Sequence, residues 1–160
     1  MQSKITPAEA GERLKLKGIK PSVIRIRVLQ YLMENRTHPA AEVIHRALLK
    51  EIPTLSKTSI YNTLKTLSSK SMILEIMTPE GEVRFDGYPD RHAHFMCISC
   101  GKIQDVGVFC QACKTADLNG AVVLEESIYL KGHCSSCKGK DKVKNEKNNV
   151  AKHGGRVNVR

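Results

Sequence analysis

Tryptophan is absent from this chain, and aromatic residues make up only 4% of its 160 positions. Cores built almost without rings must be packed from Leu, Ile and Val, which leaves a thin margin of stability and makes a structural metal ion valuable. No apolar run approaches the ~20 residues that a membrane-spanning helix needs. No stretch reads as a secretory leader either, so a cytoplasmic, reduced protein with no membrane partner is expected. Isolated cysteines are missing too. All six fall in C-x-x-C pairs, Cys97/Cys100, Cys110/Cys113 and Cys134/Cys137. That spacing, in a chain of this length, argues against a secreted disulfide scaffold and for metal ligation. Acidic residues are the scarcer charge, 16 against 26 Lys and Arg. The imbalance is concentrated in residues 138–160, where eight Lys or Arg face only Asp141 and Glu146. This stretch lacks periodicity and is expected to be a disordered basic tail. The rest is only modestly basic, which permits nucleic-acid binding without proving it.

The first half reads as four helices. Thr6-Pro7-Ala8-Glu9 supplies a cap, a Pro at the first helical position and a Glu in the first turn of a helix ending at Gly18. A second starts near Pro21-Ser22 and runs to Asn35; a third opens at His38-Pro39 and ends before Pro53. Ser56 caps a fourth, in which Ile60, Leu64 and Leu67 recur at helical spacing. Residues 72–78 and 82–86 then read as strands around the turn Thr78-Pro79-Glu80-Gly81. Helices followed by a two-stranded hairpin is the order of a winged helix-turn-helix, whose last helix would enter the major groove. Gly87-Tyr88-Pro89-Asp90 is a plausible hinge. Beyond it, residues 93–98, 102–106 and 122–130 read as strands, with a short helix over residues 107–119.

On the fourth helix the apolar stripe must face the core. Lys57, Ser59, Asn62, Thr63 and Lys70 are then expected on or near the open side, with Tyr61 at its edge. Amines there would reach phosphates, while Asn and Tyr would reach base edges or thymine methyls. Cys97, Cys100, Cys134 and Cys137 make four thiolates, enough to close a tetrahedral structural Zn(2+) site. Cys110/Cys113 is open to several readings: spectator thiols, an oxidisable dithiol, or the true partners of Cys97/Cys100. His92 and His94, two apart, share one face of a strand. With His38, Asp86 and Asp105 they form a mixed nitrogen and oxygen set that suits Fe(2+) or Mn(2+), zinc being the competitor. Spacing alone does not bring His38 to His92.

At these residues the chain resembles the ferric uptake regulator family, over roughly residues 5–137. The resemblance is carried by Ser56-Lys57-Thr58-Ser59-Ile60-Tyr61-Asn62-Thr63-Leu64, by Arg84-Phe85-Asp86, by His92-Ala93-His94 leading to Cys97-Ile98-Ser99-Cys100-Gly101-Lys102, and by Tyr129-Leu130-Lys131-Gly132-His133-Cys134. Asn62 after the helix tyrosine, His38 before Pro39, and Asp105 in place of Glu make it most like the peroxide-stress regulator branch. The resemblance implies an α+β chain in three parts. Residues 1–87 would be a winged-helix DNA-binding domain, residues 88–137 a small α/β dimerisation domain with the four-cysteine zinc site, and residues 138–160 a tail. It further implies a homodimer on a palindromic double-stranded DNA operator, and a regulatory Fe(2+) or Mn(2+) between the domains. In that branch peroxide oxidises a ligand histidine, which matches His38 and His92 here. The expectation is therefore a metal-dependent repressor sensing hydrogen peroxide, not an enzyme. An iron-responsive or zinc-responsive uptake regulator is the runner-up. A small metalloenzyme or a zinc-ribbon interaction module would leave the fourth helix, or His38 and Asp86, unexplained. Two features depart from the family pattern: a shortened segment between Asp105 and Cys134, which holds Cys110/Cys113, and the basic tail.

Overall fold

The four expected helices are present; the first, second and fourth begin where their caps predict, while the third starts at Ala41, after the expected His38-Pro39 opening, and ends at Leu48. A computed structural model describes residues 4–78, 81–90, 92–107, 121–122 and 127–138. Helix α1 (Pro7–Leu16) opens on a reciprocal box: Thr6 accepts from the Glu9 N–H while the Glu9 carboxylate accepts from the Thr6 N–H at 2.7 Å. Ser22 and Ser56 cap α2 (Val23–Glu34) and α4 (Lys57–Ser69) through the Arg25 and Ser59 amides. Helix α3 (Ala41–Leu48) has no side-chain cap. Its register to α4 is held instead by the His45 ring, which donates to the Leu55 carbonyl at 2.8 Å across the intervening turn.

The core of this half is aliphatic, as the shortage of aromatics requires. Leu14 of α1, Val28, Leu29 and Leu32 of α2, Ile44 and Leu48 of α3, and Ile60, Leu64 and Leu67 of α4 form one buried cluster. Phe85 and Ile73 close it from the hairpin side. Each such side chain contributes about 1.5–3 kcal/mol on burial, so the three-helix packing behind α4 holds that helix rigidly at the surface. The hairpin pairs β1 (Leu74–Met77) with β2 (Val83–Asp86) in antiparallel register. Helices followed by this hairpin make a winged helix-turn-helix.

The second half is a three-stranded sheet in the order β4-β3-β5, made of β3 (Ala93–Cys97), β4 (Ile103–Val106) and β5 (Ile128–Gly132). Strand β4 is antiparallel to β3, and β5 is parallel to it. The strand expected over residues 122–130 is displaced. It starts at Ile128 and continues to Gly132, while Val122 is exposed and outside any strand. Pairing, not the apolar run, sets its ends: Ile128 lies across from Ala93 and Gly132 across from Cys97, so β5 is as long as its partner. The helix expected over residues 107–119, the Cys110/Cys113 pair, the turn residues 79–80 and the tail after Lys138 lie outside the described residues.

Among the described residues the halves share a small apolar contact. Ile76 of β1 packs on Met96 of β3 and Ile103 of β4. The chain then leaves β2 through Gly87, pressed against the end of α2. A Cβ at that position would stand 2.8–2.9 Å from the Leu32 C and O and the Met33 N, all backbone atoms that cannot move aside. Only glycine fits, and the hinge path is set by α2 itself.

Candidate metal centres and nucleic-acid face

The first cluster is built by two knuckles. After β3 the chain turns at Gly101, whose φ of 68° is a left-handed conformation that costs glycine little. This turn places Cys97 and Cys100 beside Cys134 and Cys137, which follow β5. One donor atom from each lies within 4.8 Å of the others. Four sulfurs about 2.3 Å from a tetrahedral zinc ion are about 3.8 Å apart. The Cys100 and Cys134 sulfurs are separated by 3.9 Å, far from the ~2.05 Å of a disulfide, so the set fits zinc. The Cys134 N–H donates to the Cys97 sulfur at 3.3 Å and holds that thiol down at about 6, ready to bind as thiolate. Hydrogen bonding to Cys134 and Cys100 pushes Cys137 up to about 12. Four adjacent thiols cannot all ionise without a cation among them.

The second cluster is assembled from two strand registers and one loop. An antiparallel bridge joins Ala40 to Arg84, and the Phe85 N–H donates to the Pro39 carbonyl at 3.0 Å. Continuing that pairing by two residues brings His38 beside Asp86. In the sheet, His94 of β3 lies directly across from Asp105 of β4. His92, just before β3, is oriented by its Nδ1, which donates to the Asp90 carbonyl at 2.6 Å. His38 Nε2 is 2.7 Å from Asp105 Oδ1 and 3.9 Å from Asp86 Oδ2. His92 Nε2 and His94 Nε2 lie 2.9 and 3.4 Å from Asp86 Oδ2. All five residues thus present a donor atom to one point, as the sequence expectation required, although they come from both halves of the chain.

Donors about 2.1 Å from a shared ion are roughly 3 Å apart when adjacent and 4.2 Å when opposite, the range seen here. The hydrogen bonding points the same way. His38 Nδ1 and Nε2, His92 Nε2 and Asp105 Oδ1 are buried without a hydrogen-bond partner. Each such atom costs about 1–3 kcal/mol unless something satisfies it, and a cation at the centre would satisfy three of the four. His38 has a φ of 49° immediately before Pro39, a strained conformation retained at this cluster. Burial pulls the His38 imidazole below its ordinary value, outweighing the pull of Asp86 and Asp105. For Asp86, burial raises the carboxyl, but hydrogen bonds from His94 and the Tyr88 N–H and the charges of His38 and His92 win, leaving it lowered. Both groups are therefore in the deprotonated form a metal requires.

Two residues near this cluster carry no signal in periodicity or spacing. Arg36 stacks its guanidinium 3.8 Å above the Tyr88 ring and lies 3.7 Å from Asp105 Oδ2. The Tyr88 hydroxyl donates to the Met33 carbonyl at 2.9 Å, and its N–H donates to Asp86 Oδ1 at 3.0 Å. Their only mark in the sequence is position, since each lies two residues from a candidate ligand.

On α4, Lys57, Tyr61, Asn62 and Lys70 are exposed and Ser59 is partly so. Thr63 corrects the expectation: it is buried, at 6% exposure, and cannot meet a groove. It falls three residues after Ile60 and next to Leu64, inside the stripe that faces the core. The Tyr61 hydroxyl donates to Glu42 of α3, which orients the ring at the helix surface.

A winged helix-turn-helix joined to a small sheet, with a four-cysteine cluster and a His/Asp cluster between the halves, defines a metal-responsive regulator. The sequence model of the ferric uptake regulator family matches residues 16–116, and the chain belongs to that family. Its relatives are regulators of transcription, not enzymes. It is 30% identical over 136 residues to the peroxide operon regulator of Bacillus subtilis, covering 83% of this chain and 94% of that protein. The Helicobacter pylori ferric uptake regulator has the same fold, with a TM-score of 0.67 at 23% identity over 86% of this chain and 97% of that one. So has a zinc uptake regulator solved with zinc and DNA, with a TM-score of 0.62 at 16% identity over 84% and 94%. Among the described residues no helix is long and apolar enough to cross a membrane.

Proposed function

We propose that this chain is a dimeric, metal-dependent DNA-binding repressor that senses hydrogen peroxide. The observation that carries the reading is the convergence of His38, Asp86, His92, His94 and Asp105 on one point from both halves of the chain. An ion held by donors from both halves sets the angle between them. In a dimer it then sets the separation of two α4 helices, which must match half-sites about 34 Å apart or a multiple. Metal affinity becomes a bias between a DNA-competent and an incompetent shape. In this reading residues 1–87 grip DNA. Lys57 meets phosphate, and Ser59, Tyr61 and Asn62 meet base edges or backbone. Residues 88–137 dimerise, with Cys97, Cys100, Cys134 and Cys137 holding structural zinc and the five His and Asp residues holding Fe(2+) or Mn(2+).

Likeness to the peroxide operon regulator and the choice of Asp at position 105 support peroxide as the signal. Fe(2+), when bound, supplies the electrons that reduce peroxide, which Mn(2+) does not. The chain brings the His38 and His92 rings to the reaction point, and burial favours the neutral form of His38. Oxygen added to either ring would spoil a ligand, release the halves from one another and free the operator.

The test treats the Fe(2+) and Mn(2+) forms with peroxide and maps the products by peptide mass spectrometry. One added oxygen on His38 or His92 in the iron form alone is expected, together with loss of operator binding. Oxygen confined to cysteines would move the sensing to thiols. Iron-dependent DNA binding indifferent to peroxide would make the protein an iron-responsive regulator instead.

A further inference from the structure

We propose that Arg36 and Tyr88 form a collar behind the His/Asp centre that limits each of its two carboxylates to a single coordinating oxygen. This rests on the reading of that centre as a metal site. It concerns two residues of this chain that donate nothing to the metal.

The two carboxylates are divided in the same way. Asp86 turns Oδ2 toward the histidines, 2.9 Å from His92 Nε2, while Oδ1 accepts the Tyr88 N–H at 3.0 Å. Asp105 turns Oδ1 toward the histidines, 2.7 Å from His38 Nε2, while Oδ2 faces the Arg36 guanidinium at 3.7 Å. An ion pair that is partly exposed, as this one is, holds little by itself. Here the guanidinium is restrained, because it lies flat over the Tyr88 ring at 3.8 Å, an arrangement that suits its planar fork. Tyr88 is restrained in turn by its hydroxyl on the Met33 carbonyl at the end of α2. One tyrosine therefore fixes Asp86 through its backbone, Asp105 through the arginine on its ring, and itself through its hydroxyl.

The consequence is a donor count. With Asp86 Oδ1 hydrogen-bonded and Asp105 Oδ2 turned toward the guanidinium, five residues offer three nitrogens and two oxygens, five donors in all. If Arg36 lets go, the Asp105 carboxylate can rotate and offer its second oxygen as a sixth. Arg36 is thus a positioning residue. Its effect would be to leave one side of the centre accessible to a small oxidant, a property that a shell closed by six protein donors lacks.

Co(2+) is the probe, because its visible bands weaken several-fold from five to six coordination, and sulfur ligation betrays itself by a separate near-ultraviolet band. Protein loaded with zinc is titrated with Co(2+) as wild type, R36M, R36Q, Y88L and Y88F. R36M, R36Q and Y88L should lose several-fold in visible extinction, with zinc content unchanged. Y88F keeps the ring under Arg36 but loses its anchor on the Met33 carbonyl, and should fall between wild type and Y88L. Wild-type spectra in R36M, R36Q and Y88L would overturn the collar while leaving the metal site intact. Wild-type protein that shows no cobalt bands outside the sulfur site would overturn the underlying metal reading, and the collar with it. Arg36 is exposed at the surface, so R36Q in particular is expected to fold and decide the matter even if Y88L does not.

Discussion

His38 Nε2 stands 2.7 Å from Asp105 Oδ1, yet the two buried atoms do not satisfy each other as a hydrogen bond. One comes from the entry to α3 and the other from β4, so a single ion bound by both would couple the helical half to the sheet. Replacing His38 with Ala is expected to weaken Mn(2+) binding by at least about two orders of magnitude, since losing even an outer partner of a metal ligand costs 10–100-fold. Operator binding should fall with it, while zinc content and dimer mass stay as they were. Competition titration and light scattering measure the three quantities. Unchanged manganese affinity would remove His38 from the ligand set.

Acid should undo the same centre. Burial holds His38 below its ordinary 6.5. Between that lowered value and 6.5 the unfolded chain binds more protons than the folded one, so stability rises with pH there and is lost as pH falls through the interval. Asp86, held below its ordinary 3.8, acts in the same sense further down: its contribution is present above 3.8 and disappears as pH drops to its folded value. Melting temperatures of the zinc-loaded, manganese-free protein should therefore decline between pH 7 and 5.5, and manganese affinity should decline more steeply because protons compete for the imidazoles. A flat melting profile would show that His38 is not buried neutral.

Changing Cys134 to Ser removes one of the four clustered sulfurs while keeping the backbone N–H that steadies Cys97. Structural zinc contributes roughly 10–16 kcal/mol in small domains, comparable to the whole stability of a typical fold. Zinc release and loss of the dimer are expected, read by metal analysis and light scattering. A variant that keeps both would hand the ligand role to Cys110/Cys113.

The hinge offers a steric test. At Gly87 a methyl group would meet the Leu32 and Met33 backbone at 2.8–2.9 Å. Gly87→Ala should cost about 1–3 kcal/mol by urea unfolding, as overpacking does, and should weaken manganese binding by shifting Asp86, one residue away. If stability and affinity both match the parent, the hinge is not fixed by α2.

Much of this molecule could be read from residue order. Thr6, Ser22 and Ser56 mark helix starts because capping is local chemistry, and the aliphatic stripe of α4 marks its buried face. The spacing of Cys97/Cys100 and Cys134/Cys137 and the His92/His94 doublet point to the two clusters that the fold assembles. Three features were not legible, for three different reasons. The ends of β5 are set by pairing with β3, a partner thirty-odd residues away, so the apolar run from Val122 misplaced them. Thr63 is polar enough to pass for a surface residue, and only the rotation of the helix, with Ile60 and Leu64 inward, shows it to be buried. Arg36 and Tyr88 act through a stacking contact that exists only once α2 and the hinge have met.

The rotation of α4 gives neighbouring residues opposite surroundings. Lys57 and Asn62 are exposed on α4, whereas Thr63, one residue on, is packed inside. Lys57→Ala should weaken operator binding about equally for all sequences and reduce the salt slope by about 1, as loss of one phosphate contact does. Asn62→Ala should leave the salt slope alone and cost about 1–3 kcal/mol at the base it reads, seen as relaxed preference across a set of operator variants. Neither should change thermal stability. Thr63→Lys, by contrast, would bury an unpaired charge and should destabilise the helical half before any DNA is added. Binding assays and urea unfolding on the three variants separate the roles. If Thr63→Lys folds normally and tightens DNA binding, α4 presents a different face to the groove.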